Sequence, residues 1–140
     1  MEYGEGMIIL DTHIWFWWNQ DSPDLTNFQK ETIANSRADG IGVSTISLIE
    51  ISRLVNRGRL VLPLQLNEWF SIALAEEGIL SVPITPAIAI ESYSLPGEFH
   101  KVPADRIIVA TARTYDCPLM TNDSNILAYP HVKLITTTSP

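Results

Sequence analysis

Cysteine is almost missing from the chain: Cys117 is the only one. An intrachain disulfide and a thiolate metal site are therefore excluded, and Cys117 reads as a small buried apolar residue. Cations are also scarce. Nine Lys+Arg against sixteen Asp+Glu leave a formal net charge of −7. That balance excludes a protein that coats nucleic acid by bulk charge, though not an enzyme that meets phosphate locally through a metal. Long apolar runs are absent too; the strongest, Ile14 to Trp18, falls far short of the roughly 20 residues a membrane-spanning helix needs. Before it, Glu2-Tyr3-Gly4-Glu5-Gly6 offers no basic region of a signal peptide, so the expected location is cytoplasmic, with no membrane. No GxGxxG, P-loop or GxSxG occurs, which leaves nucleotide-cofactor and serine-hydrolase chemistry without support. His13, His100 and His131 have no zinc-binding spacing.

What is present suffices for one packed domain: 140 residues, 46% of them apolar and only 18% charged. The domain is expected over 7–138, with residues 1–6 as a flexible extension. Met7-Ile8-Ile9-Leu10 is a non-alternating apolar run that stops at Asp11, the pattern of a strand covered on both faces. Further strands are predicted at Ile41–Ser44, Ile79–Ile84, Leu119–Thr121 and Val132–Ile135. Helices are predicted over Gln29–Arg37, Ser47–Asn56, Leu66–Glu77, Pro86–Ser94 and Pro103–Tyr115, with a helical turn after Asp123. Strands alternating with helices imply an α/β three-layer sandwich around a mostly parallel sheet.

In such sheets ligands bind beyond the carboxyl ends of the strands. Asp11 and Asp123 each follow a strand there, although Asp also favours turns for its own reasons. Glu50 shares a helix side with Arg53 and Arg57, away from Leu48, Ile51 and Val55; pattern alone reads that side as solvated and ion-paired. Asp105 stands in the first turn behind Pro103, where the helix dipole welcomes a carboxylate.

Four segments then change the weighing: Leu10-Asp11-Thr12-His13, Ser44–Glu50, His100–Ala112 and Thr121-Asn122-Asp123. In this order, across almost the whole chain, they resemble the PIN-domain ribonucleases, and most of all the toxins of VapBC-type toxin–antitoxin pairs. The resemblance implies that Asp11, Glu50, Asp105 and Asp123 hold Mg²⁺ or Mn²⁺ for hydrolysis of RNA, with Thr12 and Thr121 as supporting hydroxyls. It also implies an antitoxin partner and a homodimer. One departure stands out: relatives of this subgroup read His-x-Asp-Pro-x-Asp-Arg, and Val102 replaces the first Asp. A carboxylate near the metal, or a helix cap, is thereby lost.

Charge physics is consistent with a metal if the four acids converge. Two like charges about 5 Å apart repel by roughly 3 kcal/mol at an effective dielectric near 20, so four need protons or a cation. Hard oxygen donors select Mg²⁺ or Mn²⁺ over zinc. The same acidic cleft is a socket for an arginine fork from a silencing partner. Arg53, Arg57 and Arg59 are the one dense basic cluster, able to hold RNA phosphates or simply to be solvated. Arg106 is expected to pair with a neighbouring acid. The run Trp15-Phe16-Trp17-Trp18 is expected to leave at least one ring for a partner, since four consecutive aromatics do not fit one core; with a mean hydropathy of +0.10, it argues for self-association. Three alternatives remain: a PIN nuclease of RNA processing without an antitoxin, a degenerate PIN fold that only binds, and a receiver-like domain that would need Lys133 as its late lysine.

Overall fold

The computed structural model describes residue 3 and residues 5–136. Parts of the expected extension and the end of the expected domain, residues 1, 2, 4 and 137–140, lie outside the described residues. Four strands, β1 (Ile8–Leu10), β2 (Ile41–Ser44), β3 (Ile79–Val82) and β4 (Leu119–Met120), form a sheet of order β3-β2-β1-β4. All pairings are parallel, with Ile9 opposite both Gly42 and Leu119. The helices are α1 (Thr12–Asn19), α2 (Asn27–Asn35), α3 (Thr45–Asn56), α4 (Leu66–Ala75), α5 (Pro86–Ser92), α6 (Pro103–Thr114) and α7 (Ser124–Leu127).

Strand alternation sorts the core into two clusters. Met7, Ile9 and Leu119 face one side, against Ile88 of α5, Ile108 and Val109 of α6 and Ile126 of α7. Ile8, Leu10, Ile41, Val43 and Met120 face the other, against Ile14 and Trp15 of α1, Ile33 of α2, Ile51 of α3 and Trp69 of α4. The three-layer α/β sandwich expected from the pattern is the observed one. Cys117 is buried. No helix among the described residues is long and apolar enough to cross a membrane.

Element ends differ in ways that local chemistry explains. The helix expected from Ser47 starts at Thr45, because the Ser44 side chain caps it by accepting from Ile46 N at 3.2 Å. It ends as expected, at Gly58, whose φ of +72° is the left-handed turn that glycine adopts freely. The expected last strand, Val132–Ile135, shrinks to a single parallel bridge between Leu119 and Leu134. Its neighbour β4 is only two residues long and offers little edge to pair with.

The aromatic run is the larger correction. Its residues show no helical period, yet they form α1, started by the Asp11 cap and driven by burial of Ile14 and Trp15. Trp15 is fully buried, and Phe16, Trp17 and Trp18 all pack partly buried against the same core cluster. Large rings reach sideways from a helix, so consecutive positions meet one core that small side chains would not reach. Trp18 also donates to Glu76 Oε2 at 3.2 Å and stacks under Arg37. Phe16, Trp17 and Trp18 each stay half-buried, which leaves part of the run open to a partner.

Candidate active site

In this strand order the chain leaves β1 towards β2 and β3, then returns to place β4 on β1's other side. The crevice at the carboxyl ends of β1 and β4 is thus the topological switch point, where helices diverge and leave room. A pocket of about 410 Å³ opens there, lined by Asp11, His13, Trp17, Glu50, Val102, Asp105, Asn122 and Asp123. All four carboxylates picked out from the sequence meet in it. A larger groove of about 890 Å³ lies beside it around Tyr93, Phe99, His100 and Arg106. It has one acid, Glu98, and no comparable cluster.

Two of the acids are also helix caps. Asp11 ends β1 and starts α1, accepting from Thr12 N at 2.8 Å. Asp123 follows β4 and starts α7, accepting from Asn125 N and Ile126 N at 2.9 and 3.1 Å. The turn-forming role of Asp and its place at a site coincide here. Hydroxyls fix the rest. Thr121 donates to Asp11 Oδ2 at 2.6 Å and accepts from Asp123 N at 2.9 Å, tying the two acids together. Thr12 donates to Glu50 Oε1 at 2.5 Å. Its only proton is spent there, so Ser47 is the donor in the 2.8 Å Ser47–Thr12 contact. Glu50 thus forms no ion pair with Arg53, contrary to the solvated reading of its helix side.

Burial raises the Asp11 carboxyl pKa above its ordinary value; the Thr121 and Thr12 hydrogen bonds and His13 pull it down, while Asp123 adds to the rise. Asp105 is pushed up to about 7, first by burial and then by Asp11, Asp123 and Glu50. It sits in the first turn of α6, behind Pro103. Val102 is the N-cap of α6 and makes no side-chain cap bond, so the residue that departs from the resembling pattern leaves that helix end uncapped.

Three residues at the site were not singled out by sequence reasoning. Ser47 stands one helical turn before Glu50, a spacing that identifies a shared face. Gln29 anchors the loop after β4 by donating to Asn122 Oδ1 at 2.9 Å, a contact between residues 93 positions apart that carries no sequence signal. His100, discounted for lack of zinc spacing, has Nε2 2.9 Å from Asp105 Oδ2. That contact lacks the direction of a hydrogen bond, and Nε2 is buried without a partner. Its signal was its place just ahead of the Pro-started helix that carries Asp105. His13, expected at the rim, is exposed and lines the pocket.

Arg106 does not pair with an acid. It donates to the carbonyls of Ser92, Phe99 and His100 and lies over the Tyr93 ring. These carbonyls, at the end of α5 and in the loop after it, have no other donor among the described residues, and a guanidinium fork serves several at once. Arg53, Arg57 and Arg59 are exposed. Lys133 pairs with Asp116 at 2.8 Å, in contact with a different depression, which removes the basis of the receiver-like alternative.

Four carboxylates around one pocket, with Asp105 held near neutrality by the other three and by burial, are a donor set that calls for a divalent cation. Ligand atoms of His100, Asp105 and Asp123 lie within 4.8 Å of one another. That group joins two of the four acids to an imidazole nitrogen, so the residues present fit a divalent ion that accepts both oxygen and nitrogen donors.

The PIN domain model matches residues 8–132. The chain belongs to the PIN-domain family. Ribonuclease VapC22 of Mycobacterium tuberculosis (strain ATCC 25618 / H37Rv) is 32% identical over 129 residues, covering 92% of this chain and 96% of that protein. Among solved structures, VapBC2 from Rickettsia felis bound to a DNA fragment from its promoter superposes with a TM-score of 0.70 at 18% identity, over 92% of this chain and 97% of that chain. FitAcB from Neisseria gonorrhoeae gives 0.65 at 18%, over 93% and 97%. These structural likenesses bear on the PIN fold, which they share over nearly the whole chain.

Proposed function

We propose that this PIN domain is a divalent-metal-dependent endoribonuclease, the toxin of a VapBC-type toxin–antitoxin pair, working in the cytoplasm. The observation that carries the reading is the meeting of Asp11, Glu50, Asp105 and Asp123 in one pocket at the sheet's switch point. Support also comes from the ribonuclease relative, which is matched over almost its full length. The partner is proposed to be an antitoxin, by likeness to VapBC2 and FitAcB. A homodimer is proposed as well, as the resemblance to the VapBC-type toxins implies.

Asp11, Glu50, Asp105 and Asp123 would hold Mg²⁺ or Mn²⁺. Bound there, the ion supplies Lewis acidity at a phosphate oxygen and a lowered pKa for its water. The chain's own work is placement. Thr121 fixes the angle between Asp11 and Asp123, and the Ser47–Thr12 relay aims Glu50 into the pocket. Burial and the three neighbouring carboxylates raise the Asp105 carboxyl to about 7, a charge cost that a cation held among them would relieve. The exposed Arg53, Arg57 and Arg59 beyond Glu50 are proposed to take RNA phosphates.

The test is cleavage of a defined RNA by chelator-treated protein with and without added Mn²⁺. Cleavage only with the ion supports the reading; none under either condition favours a PIN fold that only binds. Co-expression with a candidate antitoxin gene separates toxin from RNA-processing nuclease: copurification and relief of growth arrest support the toxin.

A further inference from the structure

Among the described residues the Nε2 atom of His100 has no hydrogen-bond partner, and it has almost no access to water. A buried imidazole nitrogen left in that state costs free energy, and native folds leave few such groups without a purpose. The ring is not there by accident of a loose loop. Arg106 clamps the backbone on both sides of it, donating to Phe99 O at 3.0 Å and His100 O at 3.1 Å. The Phe99 ring meets it edge-on, with centroids 4.6 Å apart. The loop is thus built to present one nitrogen beside Asp105, at 2.9 Å from Oδ2.

A protonated ring would make that separation an ion pair with the carboxylate, and two further chemical meanings remain. A hydrogen bond from the ring to the carboxylate needs the N–H aimed at the oxygen, and here it is not. Two neighbouring ligands of one octahedral ion, each at roughly 2.1 Å, stand about 3 Å apart with no such requirement. Asp123 completes the picture, since its carboxylate, that of Asp105 and the His100 nitrogen all fall within 4.8 Å of one another. We propose that His100 is a nitrogen ligand of the divalent ion, next to Asp105 and Asp123, and that it turns the site's preference from Mg²⁺ towards Mn²⁺. Mg²⁺ keeps to oxygen and water, whereas a transition-metal ion gains from imidazole. This rests on the reading of the pocket as a divalent-metal centre and adds to it the ligand that sets which ion is held.

The full chain loaded with Mn²⁺ alone, without RNA, is the sample. Pulsed electron paramagnetic resonance should show a nitrogen coupling of imidazole type in the wild type and in His13→Gln, and none in His100→Gln. Calorimetry should show Mn²⁺ affinity falling about tenfold in His100→Gln, with Mg²⁺ affinity changing by less than about twofold. Mn²⁺ bound to the wild type without nitrogen coupling overturns the proposal and leaves the metal centre standing, His100 then serving only to position Asp105. A coupling that survives in His100→Gln and disappears in His13→Gln overturns it in favour of the rim histidine. Failure of the wild type to bind Mn²⁺ at all overturns the metal centre and this ligand with it.

Discussion

Asp11 and Glu50 enter the pocket with their oxygens held by hydroxyls, whereas Asp105 enters it beside a histidine nitrogen that is close but misaligned. Asp11 has Thr121 and the Thr12 amide; Glu50 has Thr12, itself held by Ser47. On the other side Asp105 accepts no hydrogen bond among the described residues, and its carboxyl is raised to about 7. One side is placed by the scaffold whatever the pocket contains. The other is placed by backbone alone, and its charge state answers to what is bound. A site divided in this way keeps its shape without the ion while retaining a strong reason to take one up.

The largest effect should come from the scaffold-held side. Asp11→Asn keeps Oδ1 for the α1 cap and sets an NH2 against Thr121, whose hydroxyl oxygen then accepts instead of donating, so circular dichroism should be unchanged. Single-turnover RNA cleavage should nevertheless fall by about 10³-fold or more, roughly 4 kcal/mol of transition-state stabilisation. Were Asp11 only a strand-end cap, cleavage would persist.

Thr121→Val should come next, now in stability. It leaves the Asp123 amide and Asp11 Oδ2 without their shared partner in a buried place, which costs about 2–3 kcal/mol. Urea unfolding in metal-free buffer measures it, and Thr121→Ser should recover most of the loss. An equal loss in both variants would mean that the methyl group, not the hydroxyl, holds this side.

Asp105→Asn should act in the opposite direction. The unfolded carboxyl loses its proton near 3.8, whereas the folded one keeps it up to about 7. Across that interval the unfolded state binds fewer protons, so wild-type stability falls as pH rises from about 4 to about 7. At pH 8 without metal the variant should be more stable by about 1–2 kcal/mol, the linkage value being discounted for water that reaches the pocket. Below pH 4 the difference should vanish. Smallest of all, Val102→Asn should cap α6 and add about 0.5–1 kcal/mol by thermal melting, without adding a charge.

The same division governs how much was legible from sequence. Asp11 and Asp123 were readable because strand ends and turn-forming acids coincide in parallel sheets, and the doubly covered strand Ile8–Leu10 announced the layering by composition alone. Glu50 was not readable from its helix. Its side of α3 looks solvated until Thr12 arrives from another element 38 residues away. Asp105 looked like an ordinary first-turn acid; only the resemblance to PIN domains brought it and Glu50 into the set. Gln29 and the carbonyl-clamping Arg106 escaped because their partners are a distant loop and backbone atoms, which leave no spacing to find, whereas His100 stood only five residues before Asp105 and was passed over for want of zinc spacing. Helix α1 escaped because unbroken aromatics erase the period that betrays a helix, while each large ring still finds the core.

The most direct test of the central claim is thermal melting at pH 8 of the wild type and Asp105→Asn, each without metal and with saturating Mn²⁺. If crowded carboxylates await a shared cation, the variant melts higher without metal, and the order reverses with Mn²⁺, because the wild type gains a full ligand set and the variant does not. Parallel shifts of equal size in the two proteins, with no crossing, would contradict the account and leave the four acids as neighbours without a common ion.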